Sequence, residues 1–142
     1  MDTLTKHGRT YHLAKTSTLH LGRSPRHGDI TTPAGTWPVE VTKFRGVAVR
    51  AGNSVRLDPA GAMLPDGPAQ WKPGRHSAEL TRDGARIVVR ESGWFRKTAT
   101  VEVSGAWADR DLVVLTACFA VLAQARRRQR TMIAVAAATS HG

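Results

Sequence analysis

Leu112–Ala125, LVVLTACFAVLAQA, is a run of fourteen residues without a charge, opened by Asp109 and Asp111 and closed by Arg126, Arg127, Arg128 and Arg130. Leu112, Leu115, Phe119 and Leu122 recur at the spacing of one helix face, which marks them as core. Val113, Val114, Ala117, Cys118, Ala120 and Val121 fill the remaining faces, so no polar side is left for water. A helix apolar all round is buried in protein or lies in lipid. At roughly 1.5 Å per residue the run gives about 21 Å, short of the roughly 30 Å hydrocarbon core, and the length predicts a buried core helix over about 109–128 rather than a membrane span.

Upstream, the chain reads as strands. Turn signals recur about every 8–12 residues to about residue 104, the spacing of an all-β sandwich or barrel. Asp83-Gly84 is the clearest, set between Ser77–Arg82 and Ala85–Glu91, because both turn positions tolerate positive φ. Gly52-Asn53 plays the same part between Val47–Ala51 and Ser54–Asp58. Thr32-Pro33-Ala34-Gly35 and Asp58-Pro59-Ala60-Gly61 put Pro second and Gly fourth, as a type I turn prefers. From Arg96 to Val103 the residues alternate, Lys97, Ala99, Val101 and Val103 against Arg96, Thr98, Thr100 and Glu102, so one face is buried and one wet. Val39, Val41, Val47 and Val49 repeat the pattern. Pro65-Asp66-Gly67-Pro68 through Pro73-Gly74 predicts a long loop dividing the strands into two groups. About ten short strands are expected, then the helix; the tail 131–142 is open between a longer helix, another strand and a frayed end.

A series of hairpins followed by one wholly apolar helix resembles the tubby C-terminal-like superfamily, which includes the plant LURP-one-related proteins and the phospholipid scramblases. The residues that carry the resemblance are Gly28–Gly35 (GDITTPAG), Arg82–Ile87 (RDGARI), Gly93–Val103 (GWFRKTATVEV) and the helix after them. The resemblance implies that the helix threads a closed antiparallel barrel. The expected fold is therefore mainly β: one domain over 1–142, an antiparallel β-barrel of about ten short strands enclosing a single apolar C-terminal α-helix. For small bacterial-type members it also implies association with lipid or membrane.

The 142 residues, 41% of them hydrophobic, suffice for one sizeable core. The first fifteen residues hold no apolar stretch of signal-peptide length, which predicts a cytoplasmic protein. Twenty-one Lys and Arg against eleven Asp and Glu give a net charge of +10, which favours anionic partners. Split at residue 71, the charge is nearly even, and only 126–130 forms a block.

Catalytic constellations are hard to find. The histidines, at 7, 12, 20, 27, 76 and 141, form no HxxxH pair and join no cysteine at zinc spacing, so no metal is expected. His27-Gly28-Asp29 reads most simply as a turn. Cys118 stands in the apolar helix, where a thiol lacks an activating setting. Neither a GxSxG elbow, a GxGxxG loop nor a P-loop occurs. Asp109 and Asp111 suit the start of a helix better than acid–base work, with Asp109 as the N-cap. Trp37, Trp71, Trp94 and Trp107 lie near expected strand ends, where they plug a barrel or meet a base or a lipid interface.

The arginine block exceeds what a helix dipole needs. The reading is a non-enzymatic module without a cofactor, in which Arg126, Arg127, Arg128 and Arg130, with Arg96 and Lys97, bind anionic lipid headgroups or an acidic protein surface at the membrane periphery. Nucleic-acid binding through dispersed charges is the alternative, although no RRM or helix-turn-helix signature is present. A third reading places the 112–125 helix in a bilayer, with the arginines on its cytoplasmic side.

Overall fold

A computed structural model describes residues 2–93 and 98–140, with side chains through Gln129. The strands are β1 (Asp2–Thr3), β2 (Thr5–His7), β3 (Thr10–Leu13), β4 (Ser17–Leu21), β5 (His27–Thr32), β6 (Gly35–Lys43), β7 (Ala48–Ala51), β8 (Val55–Leu57), β9 (Ala62–Leu64), β10 (Gly67–Pro73), β11 (Ser77–Arg82), β12 (Ala85–Ser92) and β13 (Thr98–Ser104). One helix, α1 (Arg110–Ser140), follows them.

Each strand from β2 to β13 pairs antiparallel with the next, and β1 pairs with β13. Because β1 and β2 are joined by Leu4 alone, a single stretch of chain serves both ends of the sheet. Leu4 donates its N–H to the Ala99 carbonyl at 3.0 Å, and its own carbonyl accepts the Thr98 hydroxyl at 2.9 Å. The result is a nearly closed up-and-down barrel. Its loosest seam is β8–β9, held by one register pair, Arg56↔Met63.

Alternation decides which side chains enter the barrel. Leu19, Ile30, Val39, Val49, Leu57, Leu80, Ile87, Val89 and Val101 point inward and are at most 1% exposed. Through their midst runs the helix, with Leu112, Leu115, Phe119 and Leu122 buried on one face and Val113, Val114, Ala117, Cys118, Ala120 and Val121 buried on the others. Thr116, the polar exception, is satisfied locally, its hydroxyl donating to the Leu112 carbonyl at 2.7 Å. Gly28 lets the wall close on the helix: a Cβ there would stand 2.7 Å from the His20 carbonyl oxygen and 3.4 Å from the Phe119 ring.

The expected fold class holds, with differences of detail. Thirteen strands replace about ten, because short segments such as β1, β2 and β9 carry too little sequence to show a period. The Asp83-Gly84 hairpin is as expected, with Arg82 opposite Ala85. Asp58–Gly61 closes a turn, Gly61 N–H to the Asp58 carbonyl at 2.9 Å, reinforced by the Asp58 carboxylate on the Ala60 N–H at 2.9 Å. The expected long loop is absent: Pro65-Asp66 is a tight turn, and Gly67–Pro73 is a strand paired on both sides. Its prolines stand at its ends, while Trp71 faces the core, 2% exposed, and donates Nε1–H to the Val47 carbonyl at 2.9 Å. Nor is His27-Gly28-Asp29 a turn; it opens β5, with Gly28 facing inward. The helix extends past the expected boundary near 128 to Ser140, which settles the tail in favour of helix through that residue. Since Leu112–Ala125 fills the barrel, that stretch does not face a bilayer, and among the described residues no helix is long and apolar enough to cross one.

Candidate functional site at the upper mouth

In an up-and-down barrel successive loops alternate between the two ends, so strand order sorts the charges. The helix begins at the end formed by residues 14–16, 33–34, 52–54, 65–66, 83–84 and 105–109, here called the lower mouth. These loops carry Asp66, Asp83 and Asp109 against Lys15. The helix leaves by the upper mouth, formed by residues 8–9, 22–26, 44–47, 58–61, 74–76 and Gly93. Among described loop residues there, Arg9, Arg23, Arg26, Arg45 and Arg75 stand against Asp58, and Lys43 ends β6 beside them. All six of these basic residues are exposed.

The arginine block emerges at the centre of this basic ring. Arg126 donates Nη2–H to the carbonyls of Gly22 at 2.9 Å and Arg23 at 3.2 Å. Arg128 donates to the Arg75 carbonyl at 2.6 Å and pairs closely with the Glu91 carboxylate. Glu91, whose side chain is 5% exposed, also meets His76 Nδ1 at 2.9 Å. Arg127 lies 4.7 Å and Arg26 5.0 Å from the Phe44 ring centroid, cation–π distances for both. Gln124 donates to the Phe44 carbonyl at 3.1 Å. The block therefore fastens the helix to the upper loops. The partners described are carbonyl oxygens and one ring as well as a carboxylate.

Of the six residues expected to bind anions, Arg126, Arg127 and Arg128 are brought together here. The side chain of Arg130, and Arg96 and Lys97 altogether, lie outside the described residues, as do Trp94 and His141. Sequence reasoning missed the loop arginines at 9, 23, 26, 45 and 75. The signal existed in the alternation of hairpin loops, once an up-and-down order is assumed.

The lower mouth is occupied by its own contacts. Arg82 pairs with Asp66, donates to the Ala106 carbonyl at 2.8 Å and stacks 4.6 Å from the Trp107 ring, which plugs this end. Asp66 also accepts the Ala108 N–H at 3.2 Å. The hydrogen bond from Arg82, ahead of the other influences, holds the Asp66 carboxyl below the usual carboxylate range. Asp111 accepts the hydroxyl of buried Ser17 at 2.6 Å, and Asp109 supplies the carbonyl for the first helical bond, to Val113 N–H at 3.0 Å.

Cys118 is fully buried, and burial pushes its thiol pKa up, away from the thiolate that nucleophilic chemistry requires. His7 and His12 stack edge to face at 5.4 Å, and His20 is bonded to Thr10. Among the described residues no group of three His, Cys, Asp or Glu could hold a metal ion. A surface hollow of about 610 Å³ lies outside the wall beside 81–86, where Arg82 and Arg86 are already paired with Asp66 and Glu79.

No protein-family model, curated protein or solved structure matches the chain.

Proposed function

We propose that this protein is a non-enzymatic binding module that docks its upper mouth on anionic lipid headgroups. The observation that carries this reading is the segregation of charge: a ring of exposed arginines surrounds the helix exit, whereas acidic residues prevail at the other end. A one-sided field orients the molecule as well as attracting it. The helix adds support, since α1 continues beyond the last rim contact at Arg128 into a sequence, TMIAVAAATS (131–140), without a charge. A basic collar followed by an apolar helical end suits an interface whose surface is anionic and whose interior is hydrocarbon. The tubby-like resemblance, a barrel threaded by an apolar helix, belongs to the same reading, as does a place at the cytoplasmic face of a membrane.

The experiment is co-sedimentation with phosphatidylserine and phosphatidylcholine vesicles, beside DNA and RNA shift assays at matched salt. The useful variant is Lys43→Glu/Arg45→Glu/Arg75→Glu, because these side chains make no ion pair among the described residues, whereas Arg126 and Arg128 hold the fold. Each basic residue near an acidic surface is worth about 1 kcal/mol, so removing three weakens vesicle binding by roughly a hundredfold or more. The melting temperature should not move. A wild type that ignores acidic vesicles but shifts nucleic acid with a steep salt slope overturns the lipid reading in favour of a polynucleotide. Binding to neither leaves an acidic protein surface as the partner.

A further inference from the structure

We infer that a hollow of about 170 Å³ in the upper mouth, between the first hairpin and the helix, is a binding site for a single phosphate group. It is lined by Lys6, Arg9 and Tyr11 from β2–β3 and by Leu122, Arg126 and Gln129 from α1. The helical residues are spaced i, i+4 and i+7, so they share the face turned to the hairpin. Arg126 is fixed at the wall by the Gly22 and Arg23 carbonyls; burial raises the Tyr11 phenol above its ordinary pKa, and the nearby Arg126 charge opposes that rise. Tyr11 is 3% exposed and carries Lys6 Nζ over its ring, 5.5 Å from the centroid. Neither Lys6 nor Arg9 makes an ion pair with a carboxylate among the described residues. Three cations and a phenol thus converge on one small hollow, next to a buried wall of Leu21 and Leu122.

Size and chemistry select the ligand. At roughly 30 Å³ per water the hollow holds about five or six waters, well below the roughly 300 Å³ at which drug-sized sites begin, so a tetrahedral anion fits and a nucleotide does not. Lys and Arg supply charge-assisted donors, and the amide of Gln129 supplies a neutral one. The phosphate can come from a phosphomonoester lipid headgroup or from free phosphate. The inference rests on the lipid reading only for the first of these sources.

The test titrates inorganic phosphate into the full chain at constant ionic strength, with chloride as the balancing anion. Melting temperature and the amide resonances of Gly8 and Arg9 are followed. We expect a saturable response in the wild type and an apparent Kd at least tenfold higher in Lys6→Gln/Arg9→Gln, with the unliganded melting temperature unchanged; Arg9→Gln alone, on an exposed turn, should show a smaller shift in the same direction. A non-saturating response, or equal phosphate affinity in the double variant, overturns the site. Vesicles distinguish the sources. If phosphoinositide vesicles outcompete phosphatidylserine vesicles of equal charge, and the double variant loses only that preference, the headgroup is the source. If free phosphate saturates the wild type and no such preference exists, the ligand is soluble phosphate and the site stands. The Lys43/Arg45/Arg75 variant should lose vesicle binding while keeping its phosphate affinity, which separates failure of the lipid reading from failure of this site.

Discussion

Both mouths of the barrel are built from short hairpin loops, but the lower one is closed by opposite charges and the upper one by arginines that reach carbonyl oxygens. At the lower end Asp66 neutralises Arg82, Arg110 lies 3.5 Å from Asp2, and Trp107 fills the opening. At the upper end Arg126 and Arg128 reach the carbonyls of Gly22, Arg23 and Arg75, and Arg128 also pairs with Glu91. Each arrangement ties the helix to the surrounding loops. They differ in what remains afterwards: ion pairing cancels the field, and carbonyl bonding leaves it standing. The first suits a structural end, the second an end that meets an anion.

The helix couples the two mouths, so the largest effect should come from breaking it at mid-barrel. Phe119 is fully buried against Gly28. Phe119→Asp removes the ring and buries a charge without a partner, costing several kcal/mol against a total stability of roughly 5–15. The expected result is an unfolded or insoluble chain by circular dichroism; a soluble variant with a cooperative melt would show that the helix is not the core. A smaller effect should separate the fasteners at the upper end. Arg128→Met takes from the Glu91 carboxylate, 5% exposed, its closest cationic partner and leaves His76 beside it, and is expected to cost roughly 3 kcal/mol, the low end for breaking a buried pair, because Arg128 itself is 30% exposed. Arg127→Met loses a contact with Phe44 and should cost at most about 1 kcal/mol. Equal costs in urea melts would mean that the block acts as one charge cloud instead of as individual ties.

The sequence showed the helix because fourteen uncharged residues leave few alternatives, and it showed the Asp83-Gly84 hairpin because the turn chemistry is local. It hid β10, since Pro68 and Pro73 bracket a strand and read as loop punctuation. The site was half legible. Arg126–Arg128 announce themselves as a run, but their partners at Gly22, Arg75 and Glu91 are 37 to 104 residues away, so fastening was invisible. The ring of loop arginines was concealed for another reason: dividing the chain in the middle spreads them evenly, and only the alternation of loops gathers them at one end.

The smallest expected effect tests whether the lower mouth is structural alone. The Asp66 carboxyl is held below its ordinary range by Arg82, so its folded state binds the proton less readily than the unfolded chain. The stabilisation it provides is therefore complete at neutral pH, above the unfolded value of about 3.9, and is lost as pH falls through the lower folded value. The pair is partly open, with side chains 16% and 28% exposed, and pairs of that kind are worth at most about 1 kcal/mol. For a chain of this size that corresponds to about 2–4 °C in melting temperature. Asp66→Asn should show that deficit at pH 7, keep it to about pH 5, and converge with the wild type in stronger acid as Asp66 itself becomes neutral. Vesicle binding at pH 7 should be unchanged, because the substitution lies at the opposite end from the arginine ring. A variant that kept its melting temperature but bound acidic vesicles several times more tightly would mean that the lower mouth also faces the membrane, and the contrast between the two ends would fail.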